Sequence, residues 1–213
     1  MELTATTMIS LDGVTQAPGG PEEDTSGGFD LGGWSMPYID DDGARFVREN
    51  FARADAFLLG RRTYEIFAAY WPQIDSQNPI AAALNDRPKH VVSSTLRDLS
   101  WEGASLLDGE LVEGVAELKR TPGRELQVHG SVRLCQSLLA AGLVDRHHLL
   151  VFPVALRGGA RLFDGALPPM KFRLERASAT GAGVQLLTYV PDGAPRQGSF
   201  EDTAEPESGP IIR

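Results

Sequence analysis

The chain has 213 residues, 42% of them hydrophobic and 23% charged, which is enough apolar material for one sizeable core and too much for a disordered chain. Its formal net charge of −9 sits early: residues 1–44 hold nine acids and no Lys or Arg, and from residue 45 on the two signs balance. That acidic front disfavours nucleic acid as a partner, no apolar run approaches the roughly 18 residues of a membrane span, and a lone cysteine, Cys135, excludes an internal disulfide framework.

Met1 to Gly13 carries Glu2 and no basic residue, unlike a secretory leader, so a cytoplasmic location is the expectation. Residues 2–11 read as a first strand, β-branched and ended by Asp12-Gly13. Residues 14–39 form a long loop, denied regular structure by six glycines and three prolines. Its Phe29, Trp34, Met36 and Tyr38 imply that part of it packs. Residues 40–53 read as a helix with three aspartates in its first turn, where the helix dipole favours acids.

An alternation follows. Ala56–Leu59 is a strand ended by Gly60. Arg61–Trp71 is a helix with Tyr64, Phe67, Ala68 and Trp71 on one side, stopped by Pro72. A short helix falls around Ile80–Leu84, then strands at Lys89–Val92 and Ala104–Leu107 and a helix over Glu110–Arg120. Glu125–Val128 is a strand, and Ser131 caps a helix running to Ala141, with Gly142 past its end. Residues 146–154 form an apolar strand. Strands at about 171–178 and 184–190 flank Gly181-Ala182-Gly183 as a hairpin. The pattern predicts an α/β fold with a mostly parallel, helix-flanked sheet and a C-terminal antiparallel hairpin. Residues 1–190 make up this domain, and 191–213, rich in Pro, Gly and acids, read as a flexible tail.

Three segments can carry chemistry. Gly60-Arg61-Arg62-Thr63 turns a strand into a helix, and free N–H groups at a helix N-terminus bind phosphate. The alternative is a plain turn with solvated arginines. Ser93-Ser94-Thr95 places three hydroxyls after a strand, fit for a ribose or its phosphate, or simply a polar loop. Gly130-Ser131 opens another helix, as a second pyrophosphate turn or as an ordinary N-cap. All three fall at carboxyl ends of strands, where open α/β sheets bind ligands. No dinucleotide fingerprint, P-loop, zinc-protease or esterase motif occurs. His147 and His148 are adjacent in a strand and face opposite ways, His90 and His129 fill strand positions, and Cys135 packs. No metal site is expected.

The blocks Thr7-Met8-Ile9-Ser10-Leu11-Asp12-Gly13, Leu58-Leu59-Gly60-Arg61-Arg62-Thr63-Tyr64-Glu65, Val91-Val92-Ser93-Ser94 and His129-Gly130-Ser131 resemble, in order and spacing, the dihydrofolate reductase-like superfamily. The similarity is to the branch holding the reductase domain of the bifunctional riboflavin-biosynthesis deaminase–reductase. It covers roughly residues 2–190. The deaminase signature is absent, so only the reductase half is matched.

The resemblance implies NADPH as hydride donor, a small-molecule substrate and a homodimer. It implies that Gly60, Arg61, Arg62 and Thr63 meet the pyrophosphate and adenosine phosphate. Ser93 and Ser94 would meet the 2′-phosphate side, Gly130 and Ser131 the pyrophosphate from the other side, and Met8 the nicotinamide through its backbone. The 14–39 loop takes the place of the family's active-site loop. Asp42 stands nearest to the family's substrate carboxylate, and with Asp12 second it is the proton-donor or substrate-anchor expectation. The alternative function is a non-catalytic ligand-binding or assembly protein that keeps the reductase fold.

Overall fold

A computed structural model describes residues 1–165 and 167–199. Eight strands form one sheet: β1 (Glu2–Ser10), β2 (Ala54–Gly60), β3 (Lys89–Val92), β4 (Ala104–Leu106), β5 (Glu125–His129), β6 (Arg146–Phe152), β7 (Phe172–Ala179) and β8 (Gln185–Pro191). Their spatial order is β4-β3-β2-β5-β1-β6-β8-β7. Strands β1 to β6 run parallel, and β8 pairs antiparallel with both β6 and β7. The dihydrofolate reductase-like fold expected from the sequence is therefore present, closing hairpin included.

Among the described residues five α-helices cover the sheet: α1 (Asp41–Arg53), α2 (Arg61–Tyr70), α3 (Pro79–Asp86), α4 (Leu111–Arg120) and α5 (Val132–Ala140). Strand periodicity sorts them by face. Leu3, Ala5 and Ile9 of β1 point to one face and pack with Val115 of α4 and Leu134, Cys135, Leu138 and Leu139 of α5. The other face of β2, through Phe57 and Leu59, meets Phe51 of α1, Tyr64 of α2 and Leu84 of α3. Both faces are thus buried, as parallel sheets require.

Local chemistry explains most ends. Asp40 caps α1 by accepting from the Gly43 N–H at 2.9 Å, and Asn78 caps α3 by accepting from Ile80 N–H at 2.9 Å. Buried Lys89 donates to the last carbonyls of α3, Leu84 O at 2.8 Å and Asn85 O at 3.0 Å, and lies over the Trp101 ring. Strand β2 starts two residues earlier than its apolar run because Ala54 already pairs with Glu125. Helix α2 gives way to a 3₁₀ turn at Trp71–Gln73, since Pro72 has no N–H to continue the helix.

The long loop is more ordered than its glycines suggest. It contains 3₁₀ turns at Ser26–Gly28 and Met36–Tyr38, and Val14 forms a bridge with Arg161. Phe29 and Trp34 are buried, and the Trp34 ring meets Phe152 edge-on at 5.4 Å. The hairpin also outruns the domain boundary read from sequence: Lys171 N–H donates to Gly193 O at 2.8 Å. The expected tail lies outside the described residues from position 200 on. Among the described residues no helix is long and apolar enough to cross a membrane.

Candidate active site

Strands β2 and β5 are neighbours whose onward connections diverge. After β2 the chain moves outward to β3, and after β5 it crosses β1 to reach β6. Helix α2 then starts on one face and α5 on the other. This is a switch point, where the carboxyl ends of an open sheet leave a crevice.

Gly60, the last residue of β2, and Ser131, just after β5, face each other across that crevice. A Cβ placed on Gly60 would lie 2.4 Å from Ser131 Oγ and 2.7 Å from Ser131 Cβ, so only glycine fits. The β5 side is held open by backbone geometry, with positive φ at both Gly130 (74°) and Ser131 (51°). Thr63 Oγ1 lies 3.9 Å from where a Gly130 Cβ would stand, and Thr63 is buried. The structure therefore brings together Gly60, Thr63, Gly130 and Ser131, four of the residues singled out in the sequence.

One expectation is corrected here. Ser131 stands at the N-cap position of α5, but its side chain makes no capping hydrogen bond, and Gly60 supplies none to α2. The positive φ of Ser131 turns its hydroxyl toward Gly60 and away from the helix's own N–H groups. Two helix N-termini thus converge without side-chain caps. Unpaired N–H groups and two dipole ends at one crevice can hold an anion of diphosphate size.

The remaining expected residues lie around this cradle. Arg61 pairs with Glu65 at 3.4 Å along the outer face of α2, while Arg62 pairs with Asp24 of the long loop at 2.8 Å. Both arginine side chains are about half exposed. Ser93 Oγ accepts from Leu96 N–H at 3.0 Å and Thr95 N–H at 3.2 Å, so this hydroxyl builds its own turn. The Ser94 carbonyl accepts from Arg97, an exposed cation of the same loop that the motif reading passed over. Met8 packs toward the long loop, and Ser35 Oγ approaches its Sδ at 3.6 Å.

The two carboxylates differ. Asp12 accepts from Ser10 Oγ at 2.7 Å, Leu156 N–H at 3.0 Å, Arg157 N–H at 2.8 Å and Arg161 Nη2 at 3.3 Å. The Ser10 hydroxyl and these backbone donors hold its carboxyl well below the usual carboxylate range. Asp12 therefore anchors a turn in its ionised form and is not built to carry a proton at neutral pH. Asp42 lies in the first turn of α1, half exposed and paired with Arg45. Because α1 runs back toward the start of β2, its first turn stands over the carboxyl ends of the parallel strands, the edge that holds the cradle.

A buried polar row lies under α1. Arg53 Nε donates to Glu125 Oε1 at 2.7 Å, Gln127 Nε2 bonds the Asn50 carbonyl at 2.8 Å, and Asn50 Nδ2 donates to Thr6 Oγ1 at 2.8 Å. Gln127 Oε1 lies 2.8 Å from His129 Nε2, and the His129 ring stacks on Phe51 at 4.1 Å. Burial, with a smaller push from His148, drives this imidazole down to about 3 and keeps it neutral. The signal was legible: Glu125, Gln127 and His129 at i, i+2, i+4 put three polar groups on one strand face.

Cradle and switch point define a crevice at the carboxyl edge of the sheet of an α/β protein with helices on both faces. The particular family follows from comparison: the chain belongs to the RibD C-terminal domain family, whose model matches residues 2–186. It is similar to YyaP of Bacillus subtilis (strain 168), an uncharacterised protein, at 25% identity over 138 residues, 63% of this chain and 73% of that one. Among solved structures it is similar to a candidate riboflavin biosynthesis protein from Shewanella sp. PV-4, at 22% identity and TM-score 0.69, over 90% of this chain and 99% of that one. It is also similar to the dihydrofolate reductase of Enterococcus faecalis solved with NADP(H) and RAB-propyl, at 14% identity and TM-score 0.57, over 90% and 96% of the two chains. Family and fold together support a reductase-type function.

Proposed function

We propose that the protein is an NADPH-dependent reductase of a small heterocyclic or carbonyl/imine substrate, similar to the 5-amino-6-(5-phosphoribosylamino)uracil reductase step of riboflavin biosynthesis. The observation that carries this reading is the glycine-only cradle between the uncapped starts of α2 and α5, which suits a pyrophosphate. Bound NADPH would supply the hydride. Gly60, Thr63, Gly130 and Ser131 would hold its pyrophosphate, while Arg61, Arg62 and the Ser93-Ser94 loop would lie toward the adenosine phosphate. Met8 would border the nicotinamide. Asp42, solvent-reached on the same rim, is the side chain to which the substrate's proton or anchoring is assigned.

NADPH titration followed by nicotinamide fluorescence tests the reading. Saturable binding is expected, followed by cofactor oxidation with a member of an aldehyde, imine and pterin panel. No binding at millimolar cofactor overturns it. Binding without oxidation across the panel favours a non-catalytic ligand-binding protein on the same fold. Asp42→Asn should lower turnover at least about tenfold while leaving NADPH affinity nearly intact. Unchanged turnover would remove Asp42 from the site. The reading includes a homodimer working in the cytoplasm. The outer edge of β7 is charged and bulged between Leu174 and Arg176, which opposes strand-to-strand pairing there, so subunits would meet through other surfaces. Light scattering should give twice the chain mass of 23.0 kDa, and a monomer at all concentrations would refute it.

A further inference from the structure

The closing hairpin has two unlike faces. Residues directly opposite in paired strands point to the same side. Leu174 stands opposite Tyr189, which stands opposite His147, and Ala177 stands opposite Leu187, which stands opposite Leu149. Phe172 lies on that side too, since it lines one recess with Phe163, Leu149 and Tyr189. The bulge between Leu174 and Arg176 resets the alternation, so Arg176, opposite Thr188, shares the other side with Arg173, opposite Val190. Without the extra residue Ala177 would fall among the arginines.

A strand with one apolar and one charged side is patterned to bury the first. Yet β7 is exposed from residue 173 to 179, Leu174 itself by 48%. Phe163, edge-on to Phe172 at 5.9 Å, is 44% exposed. The five described α-helices all precede β6 in the chain, and the core under α4 and α5 takes in Leu149 and Phe172 only as partly buried margins. The result is a continuous apolar face that the described residues leave open, the kind of patch that marks an interaction surface.

We propose that a second copy of the chain docks on this hairpin face, the two faces packing on each other about a two-fold axis. The inference rests on the homodimer of the reading above and names its surface. Charge favours that occupant. The chain carries −9, so two copies repel unless they meet away from their acids. Glu175 is the one acid of β7 and β8, and it turns to Arg146 at 2.7 Å. Shape favours it too: Phe172 and Leu174 are bulky at one end of the strand, Ala177 and Ala179 small at the other, and a two-fold axis sets bulk against small in both copies. The chain's own C-terminal segment is a poorer match, because residues 201–207 bring four acids to an apolar face. Three strands about 4.8 Å apart and a strand length of roughly 26 Å give on the order of 400 Å² per copy, below the ~800 Å² of a standard interface. The dimer is therefore a weak one that dissociates in the micromolar range.

Leu174→Cys in the full chain tests it. Cys135 is buried, which pushes its thiol up to about 12, so residue 174 supplies the reactive thiol. At constant maleimide concentration, labelling should slow at least about tenfold from submicromolar to high micromolar protein, in step with a rise from 23.0 kDa to twice that mass in sedimentation. Leu174→Asp should raise the dissociation constant at least about tenfold, while Arg176→Asp, on the other face, should change it by no more than about twofold. Leu174 is half exposed, so neither change at that position hollows the core. Three results would overturn the proposal. A dimer whose labelling rate ignores concentration pairs through another surface, and the homodimer reading then stands. Slow labelling at every concentration means that the chain covers its own face. A monomer at all concentrations removes the homodimer reading as well.

Discussion

Two turns at the same edge of the sheet handle negative charge in opposite ways. The turn after β1 carries its own anion: the Asp12 carboxylate takes donors from Ser10, Leu156, Arg157 and Arg161, and the turn is complete. The crevice between β2 and β5 gathers two helix N-termini with no side-chain cap and excludes any side chain at Gly60. Helices α1 and α3 are capped by Asp40 and Asn78, while α4, like α2 and α5, starts without a side-chain cap; what sets α2 and α5 apart is that their uncapped starts converge on one crevice. A strand end that supplies its own acceptor is structure. A crevice where two uncapped helix starts converge leaves N–H groups that can accept a ligand's anion.

The largest expected effect comes from filling the cradle. Gly60→Ala puts a methyl where Ser131 Oγ and Cβ stand, so NADPH affinity should fall more than about tenfold and stability by about 1–3 kcal/mol. Adding Ser131→Gly removes the clashing atoms, and Gly suits the positive φ there, so the double variant should regain most of the stability. Calorimetry with fluorescence titration checks both. If the double variant is no more stable than Gly60→Ala, the two residues do not meet.

Asp12→Asn addresses the other turn. It should cost about 1–3 kcal/mol at pH 7 and leave NADPH affinity within a factor of about two. Because the Asp12 pKa is lowered in the folded state, its contribution is fully present above the ordinary carboxyl value near ~4 and is lost as pH falls below it. The stability gap between parent and variant, from denaturant unfolding between pH 7 and pH 3, should therefore narrow at the acid end. A constant gap would mean that Asp12 is not the ionised anchor.

The smallest effects concern the contact between the crevice's helix α2 and the long loop that follows the β1 turn, the Arg62–Asp24 ion pair. Asp24 already offers Arg62 a carboxylate where a phosphate would compete. Arg62→Ala should weaken NADPH severalfold more than NADH, and Asp24→Asn should strengthen NADPH about two- to threefold. Equal losses of NADPH and NADH in Arg62→Ala would mean that this arginine only lines the surface.

Local patterns carried the element order far: the i, i+3, i+4, i+7 side of α2, the glycines ending strands and the hairpin at Gly181–Gly183 are short-range signals, and the elements formed within about two residues of expectation. The same signals placed Gly60, Thr63, Gly130 and Ser131 at strand ends. They could not show that the Ser93 hydroxyl closes its own turn, that Asp12 reaches Leu156 and Arg157, or that the long loop buries Trp34 and sends Asp24 to Arg62. Sequence by itself determined which residues turn each strand into a helix, because φ preference, capping and periodicity act within a few residues. Only the tertiary structure decided that β5 inserts between β1 and β2. Parallel neighbours are joined by crossovers and carry no local mark of their partner, so the meeting of Gly60 with Ser131, 71 positions apart, is a property of sheet order.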